Sequence, residues 1–258
     1  MRLMKRILSA AAVLALSASL LVGCSSGTAS SVPVSASSAA ESTVSSVEET
    51  ASSAVDENEA AAAQLLNDLT GSYQELWPVI LADEYKQTWL DDCTALVGEE
   101  NAEAAFEKLS SMVTSDVYGE DAVEAYANGG GAYFCGFTNS LATLTFDGET
   151  STISGTDKDG NVLFSHTYHY IGMEPVHGLY EFESDDADSG EFTYFFLAPD
   201  TSAETYHIEF RYGSDAEALS QYDAGDYAYW VASGISTDCD QTMIDNCIEL
   251  FCTENLAG

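Results

Sequence analysis

Positive charge is what this chain most lacks. It carries 7 Lys and Arg against 43 Asp and Glu, a formal net charge of −36. Arg2, Lys5 and Arg6 stand at the extreme N-terminus. Beyond them only Lys86, Lys108, Lys158 and Arg211 face all 43 acids, a balance of −39. Phosphate contact needs a basic face, so nucleic acid is excluded as a partner. Adhesion to anionic lipid headgroups is excluded for the same reason. The acidic field concentrates cations at the surface, although diffuse acidity is also what keeps an exported protein in solution.

Other absences narrow the chemistry. Histidine occurs only as His166, His169, His177 and His207. No Cys-x-x-Cys is present, and Cys247 and Cys252 lie five apart, which puts them on different helix faces. A thiolate metal site is therefore not expected. Five cysteines follow Cys24, namely Cys93, Cys135, Cys239, Cys247 and Cys252. An odd number leaves at least one free thiol, and the sequence does not give the pairing. There is no nucleophile elbow, no Ser/His/Asp spacing, no phosphate loop and no metalloprotease motif, so the chain is not expected to be an enzyme.

What is present begins with a targeting segment. The basic n-region is followed by an apolar stretch from Ile7 to Val22, short for a bilayer that asks for roughly 20 residues. It ends in Leu21-Val22-Gly23-Cys24, which has the form of a bacterial lipobox. Residues 1–23 are expected to be a lipoprotein signal peptide, and Cys24 the lipidated residue. Acyl chains on Cys24 would anchor the protein to the outer face of the cell membrane without a spanning helix. Residues 24–60 are almost wholly Ser, Ala, Thr, Val and Glu, with no aromatic residue and no period. Such a segment buries too little apolar surface to offset its ordering entropy, and reads as a tether. Residues 61–258 are long enough for one domain with its own core.

Within that domain the hydrophobic period changes twice. Helical spacing dominates first: Ala60 to Leu69, then Val79 to Val97 with Leu81, Tyr85, Trp89 and Cys93 on one face, then Glu99 to Val113. From about Gly131 the period is two. Strands are expected over Leu141–Phe146, Thr150–Gly155, Val162–Tyr170, Gly178–Glu183, Glu191–Leu197 and Thr205–Tyr212, punctuated by Asp147-Gly148, Asp159-Gly160 and Ser189-Gly190 turns. Asp157 to Asn161 and Asp185 to Glu191 look superficially like cation loops, but lack the remaining ligands and read as turns. A closing helix carries Met243, Ile244, Cys247, Ile248 and Phe251 as its apolar stripe, with Thr237 and Asp240 as its capping box. The plan is α+β, mainly β: an antiparallel barrel with N-terminal helices and a C-terminal helix.

The pair Phe192–Pro199 and Thr205–Gly213 reads as a hairpin. Alternate strand residues share a face, so His207 and Glu209 lie together and are expected to point into the barrel. Imidazole nitrogen and carboxylate oxygen both suit Zn²⁺. Two donors hold zinc poorly. A third would have to come from His166, His169, His177, Asp215 or Glu204, and His166 and His169 fall on opposite faces of their strand.

Several blocks together resemble the ZinT family, which also occurs as the C-terminal domain of AdcA-type zinc lipoproteins. They are Leu69-Thr70-Gly71-Ser72-Tyr73-Gln74-Glu75-Leu76-Trp77-Pro78; Tyr180 to Glu183 with Asp186 to Tyr194; Leu197-Ala198-Pro199 with His207-Ile208-Glu209 and Gly213; and Leu219 through Tyr227, Tyr229 and Trp230. The resemblance spans roughly residues 65 to 250. It implies a calycin-like barrel, an extracytoplasmic place and zinc capture or homeostasis, with a metal ABC transporter or its binding protein as partner. The family's three histidine ligands fall on Phe195, His207 and Glu209, so the ligand set is reduced. The alternative is a chain that keeps the fold, has lost zinc, and binds a small molecule or a protein on an aromatic mouth of Phe192, Tyr194, Phe195, Phe196, Tyr206 and Tyr212.

Overall fold

The computed structural model describes residues 57–129, 131–198 and 207–257. The signal segment, Cys24 and most of the tether lie outside the described residues. Eight antiparallel strands follow one another around a closed barrel in sequence order. They are β1 (Gly71–Glu75), β2 (Thr143–Asp147), β3 (Thr152–Thr156), β4 (Val162–Met173), β5 (Tyr180–Ser184), β6 (Tyr194–Leu197), β7 (His207–Gly213) and β8 (Ala232–Ser236). The helices are α1 (residues 57–68), α2 (Leu76–Ile80), α3 (Lys86–Val97), α4 (Glu99–Ser111), α5 (Glu120–Ala127), α6 (Ala216–Leu219) and α7 (Gln241–Leu256). The α+β barrel plan is what the structure shows. No helix among the described residues is long and apolar enough to cross a membrane.

Closure depends on the two strands the hydrophobic pattern does not reveal. β1 pairs with β8 through Tyr73↔Ser236 and Glu75↔Gly234. β1 holds one large apolar residue, Tyr73, among polar ones. β8 reads Ala-Ser-Gly-Ile-Ser and must be small: a Cβ at Gly234 would lie 3.1 Å from Ile208 Cγ1.

Residues directly opposite in a ladder share a face. Phe182 faces Phe195, Phe195 faces Tyr212, and Leu197 faces Phe210. Phe164 on β4 meets Phe195 on β6 at a ring separation of 5.9 Å, and Tyr168 meets it at 5.4 Å. These strands are not neighbours, so their rings meet across the lumen. Phe210 and Tyr212 complete the stack at 5.8 Å. The Tyr212 hydroxyl donates to the Thr138 carbonyl at 2.9 Å and accepts the Thr138 N–H at 2.6 Å. Buried aromatic side chains thus meet across the barrel interior.

The helices form a cover on one flank. Where the periodicity predicts one helix from Val79 to Val97, the chain breaks into α2, a 3₁₀ turn at Asp83–Tyr85, and α3. The reason is packing. Trp77 and Trp89 both rest on Phe251, at 4.7 and 5.8 Å. In one straight helix they would lie about 18 Å apart along the axis. The Trp89 indole N–H bonds the Ile80 carbonyl at 2.7 Å and ties the two pieces together. The cap of α7 also differs from expectation: Asp240 is itself the N-cap, accepting the Met243 N–H at 3.0 Å. Thr237 instead donates its N–H to the Ser72 carbonyl at 2.8 Å.

Cys93 on α3 and Cys252 on α7 are both fully buried, with sulfurs 3.9 Å apart. Mild oxidation of the purified chain should join this pair and leave Cys135, Cys239 and Cys247 as thiols. Bridging two such distant positions should add about 2–4 kcal/mol of stability. Peptide mapping and urea melts before and after oxidation check this; a different pairing, or no gain, contradicts it.

Candidate functional site

Strand β7 is buried along its whole length, so both of its faces are occupied. Ile208, Phe210 and Tyr212 fill the lumen. His207, Glu209 and Arg211 alternate with them and therefore face outward, into the helical cover. His207 and Glu209 do share a face, as the spacing requires. They do not point into the barrel, which corrects the expectation drawn from the sequence. Phe195 pairs with Tyr212 and faces the lumen, whereas Phe196 pairs with Arg211. The three positions that the resemblance groups, Phe195, His207 and Glu209, are divided between two faces. Of the aromatic mouth set, Phe192, Phe195 and Tyr212 are buried against one another, and Tyr206 lies outside the described residues.

His207 is 8% exposed and Glu209 7%. His207 sits beside a cavity of about 10 Å³ walled by Leu76, Trp77 and Ile80 of the α2 side and by Cys247, Leu250 and Phe251 of α7. That is room for one atom-sized guest. Glu209 sits opposite Ser233 in the ladder with β8, and near Cys135. Burial pushes the Cys247 thiol up to about 12, and burial with the Glu209 charge pushes Cys135 higher still. Both are thiols at neutral pH, whereas the thiolate is the metal-binding form.

The candidate third donors are engaged elsewhere. His166 Nδ1 lies 2.7 Å from Asp186 Oδ2. His169 Nδ1 lies 2.7 Å from Asp185 Oδ1, on the other face of β4. Asp215 caps α6, accepting the N–H groups of Glu217 and Ala218 at 2.9 and 3.1 Å. His177 lies at the Arg211 end of the row. Glu204 is outside the described residues. Among the described residues no three His, Cys, Asp or Glu side chains come close enough to hold one ion. His207 and Glu209 suit zinc in kind but are short of its usual complement of protein ligands. The Asp157–Asn161 segment is a turn, with Asp157 accepting the Asp159 and Asn161 N–H groups at 2.9 Å each.

Arg211 closes the row. Fully buried, its guanidinium donates to the carbonyls of Leu219, Gln221 and Tyr227, and lies 4.1 Å from the Tyr222 ring centre. One cation thus fixes the irregular stretch between α6 and β8. The sequence reading missed this role, although a lone arginine in an apolar, aromatic strand was its signal.

Beside it, Glu174 is 0% exposed and accepts the N–H groups of Val176 and His177 at 2.9 and 2.6 Å. Burial alone would raise its carboxyl; the hydrogen bonds from His177 and Val176 outweigh burial and hold it below its ordinary 4.5. A carboxyl with a depressed folded value contributes stability above its unfolded value and loses it as pH falls through the folded one. The stability gap between the natural chain and Glu174→Gln should therefore be constant above pH 4.5 and shrink below it. Urea melts across acid pH measure the gap; one that persists or widens there contradicts this.

No protein-family model and no curated protein matches the chain. Among solved structures it is similar to the Zn(II)-bound ZinT-like domain of Streptococcus pneumoniae AdcA, with a TM-score of 0.44 and 15% identity over 70% of this chain and 87% of that one. It is also similar to Zn(II)-bound AdcA from Streptococcus pneumoniae, with a TM-score of 0.41 and 12% identity over 71% of this chain and 34% of that one. The chain spans about a third of that longer protein. The bound zinc belongs to those two proteins.

Proposed function

We propose that this chain is a lipid-anchored, extracytoplasmic binding protein that captures a divalent metal ion, zinc first, at His207 and Glu209. One observation carries the reading: an imidazole and a carboxylate on one face of β7, both shielded from water, with an atom-sized cavity against the imidazole. That space excludes an organic guest there and suits a single ion. Zinc takes nitrogen and oxygen donors and keeps open positions for water. The set remains incomplete, and a further donor must come from outside the described residues. Glu204, three positions before His207, is the sequence's candidate. The strongly acidic chain would raise the local cation concentration. Delivery to a metal ABC transporter or its binding protein is the partner this role calls for, and the lipobox at Cys24 supplies the anchor.

The second reading keeps the fold without the metal. What favours it is the lumen-facing Phe195 and the missing third donor, together with a larger cavity at the far end of β7.

Zinc titration by calorimetry on the chain from residue 24 onward, carrying Cys24→Ser, should give a one-to-one binding heat. His207→Ala should weaken it at least about tenfold, the loss of one of few ligands. Equal heats for both proteins would remove the site. In cells, the natural chain should partition into detergent and Cys24→Ser into the aqueous phase. A natural chain found in the aqueous phase would overturn the anchor.

A further inference from the structure

A cavity of about 650 Å³ opens beyond the Arg211 end of β7, lined by α5, the 176–177 turn and the 220–229 stretch. This is the size of pocket that takes an organic molecule, and far too large for a bare ion. Four of its eleven lining residues are tyrosine. Tyr126 and Tyr229 lie parallel, 3.8 Å apart with an interplanar angle of 8°. Tyr133 stands edge-on to both, at 6.2 and 5.7 Å. Tyr222 forms the side toward Arg211, with His177 on its ring at 3.7 Å.

Three features mark this as a built site. First, Tyr229 has φ +56°, a left-handed conformation that a bulky residue rarely adopts. It is held there by its N–H to the Tyr222 carbonyl at 2.8 Å and by the Phe134 N–H to its own carbonyl at 3.0 Å. The strained backbone presents the ring to the cavity. Second, Gly131 (φ +104°) passes so close to Tyr126 that a Cβ there would lie 2.7 Å from the ring. Third, the lining holds two buried polar atoms, His177 Nδ1 at 3.4 Å from Glu174 Oε2 and the Tyr222 hydroxyl next to Arg211.

The charge of the lining selects the ligand. Asp223 is the one acid among the lining residues, which include no Lys or Arg. The buried Arg211 behind Tyr222 is offset by the buried Glu174, whose charge acts on it. Tyrosine faces are negative at their centres and attract cations, most strongly where water is excluded. We propose that this pocket binds a small organic cation, an alkylammonium or arylammonium group, with the charged head on the Tyr126, Tyr133 and Tyr229 rings and Asp223 at the rim. It deepens the small-molecule reading and stands whether or not β7 holds a metal.

The test is calorimetry with two probes on the chain from residue 24 onward, carrying Cys24→Ser: choline, and its uncharged isostere with carbon in place of the ammonium nitrogen. Choline should bind at least about tenfold tighter, the size of one desolvated cation–π contact. Tyr229→Leu and Asp223→Asn should each weaken it by about tenfold. Tyr126→Phe should retain binding, because the ring face and not the hydroxyl carries it, and circular dichroism confirms folding of each variant. His207→Ala should leave choline binding unchanged, which separates this site from the metal face. Equal binding of the two probes, or no heat from either at millimolar concentration, overturns the proposal. So does preferential binding of a neutral sugar.

Discussion

The alternation along β7 is the constraint from which the rest of the structure follows. Its seven residues are all buried, which a strand on a half-solvated barrel would not be. Two different sets of partners must therefore cover it. Ile208, Phe210 and Tyr212 meet the aromatic lumen, and His207, Glu209 and Arg211 meet the helices and the stretch before β8. Shifting the strand by one residue would push three polar side chains into a ring stack and three apolar ones under the helices. Register, core and candidate chemistry are thus specified by one heptapeptide.

Both proposed sites lie in the outer cover of the barrel. A barrel of eight strands can hold a ligand in its interior, and here Phe164, Phe195, Phe210 and Tyr212 pack against one another inside it. The row on the other face of β7 runs between the two proposed sites. At one end His207 adjoins a cavity the size of an atom, and at the other Arg211 anchors the stretch that carries Tyr222 and leads to Tyr229. The two ends differ in scale and chemistry, so a metal ion and an organic cation need not compete. Both suit a chain whose formal net charge is −36.

Much of the barrel was legible in the sequence, because six strands carry period-two patterns bounded by Gly and Asp turns. β1 and β8 were not, since small and polar residues at the closing seam leave no apolar period to read. The helix from Val79 to Val97 was misread as unbroken: its local period is genuine, but the demand that Trp77 and Trp89 share Phe251 is a tertiary one. The shared face of His207 and Glu209 was legible from spacing alone. Its direction was not, because spacing alone cannot say which face of a strand buried on both sides meets the lumen. The tyrosine pocket was not legible. Tyr126, Tyr133, Tyr222 and Tyr229 come from separate segments, and the backbone strain at Tyr229 has no sequence signature.

The central claim is that the metal-binding face of this chain is the outer face of β7. Anomalous diffraction at the zinc edge, from crystals of the zinc-loaded chain, tests it most directly. The account predicts a peak within coordination distance of a His207 ring nitrogen and a Glu209 carboxylate oxygen, on the helix-covered side of the strand. A peak in the barrel lumen, a peak held by other residues, or no peak at all would contradict it.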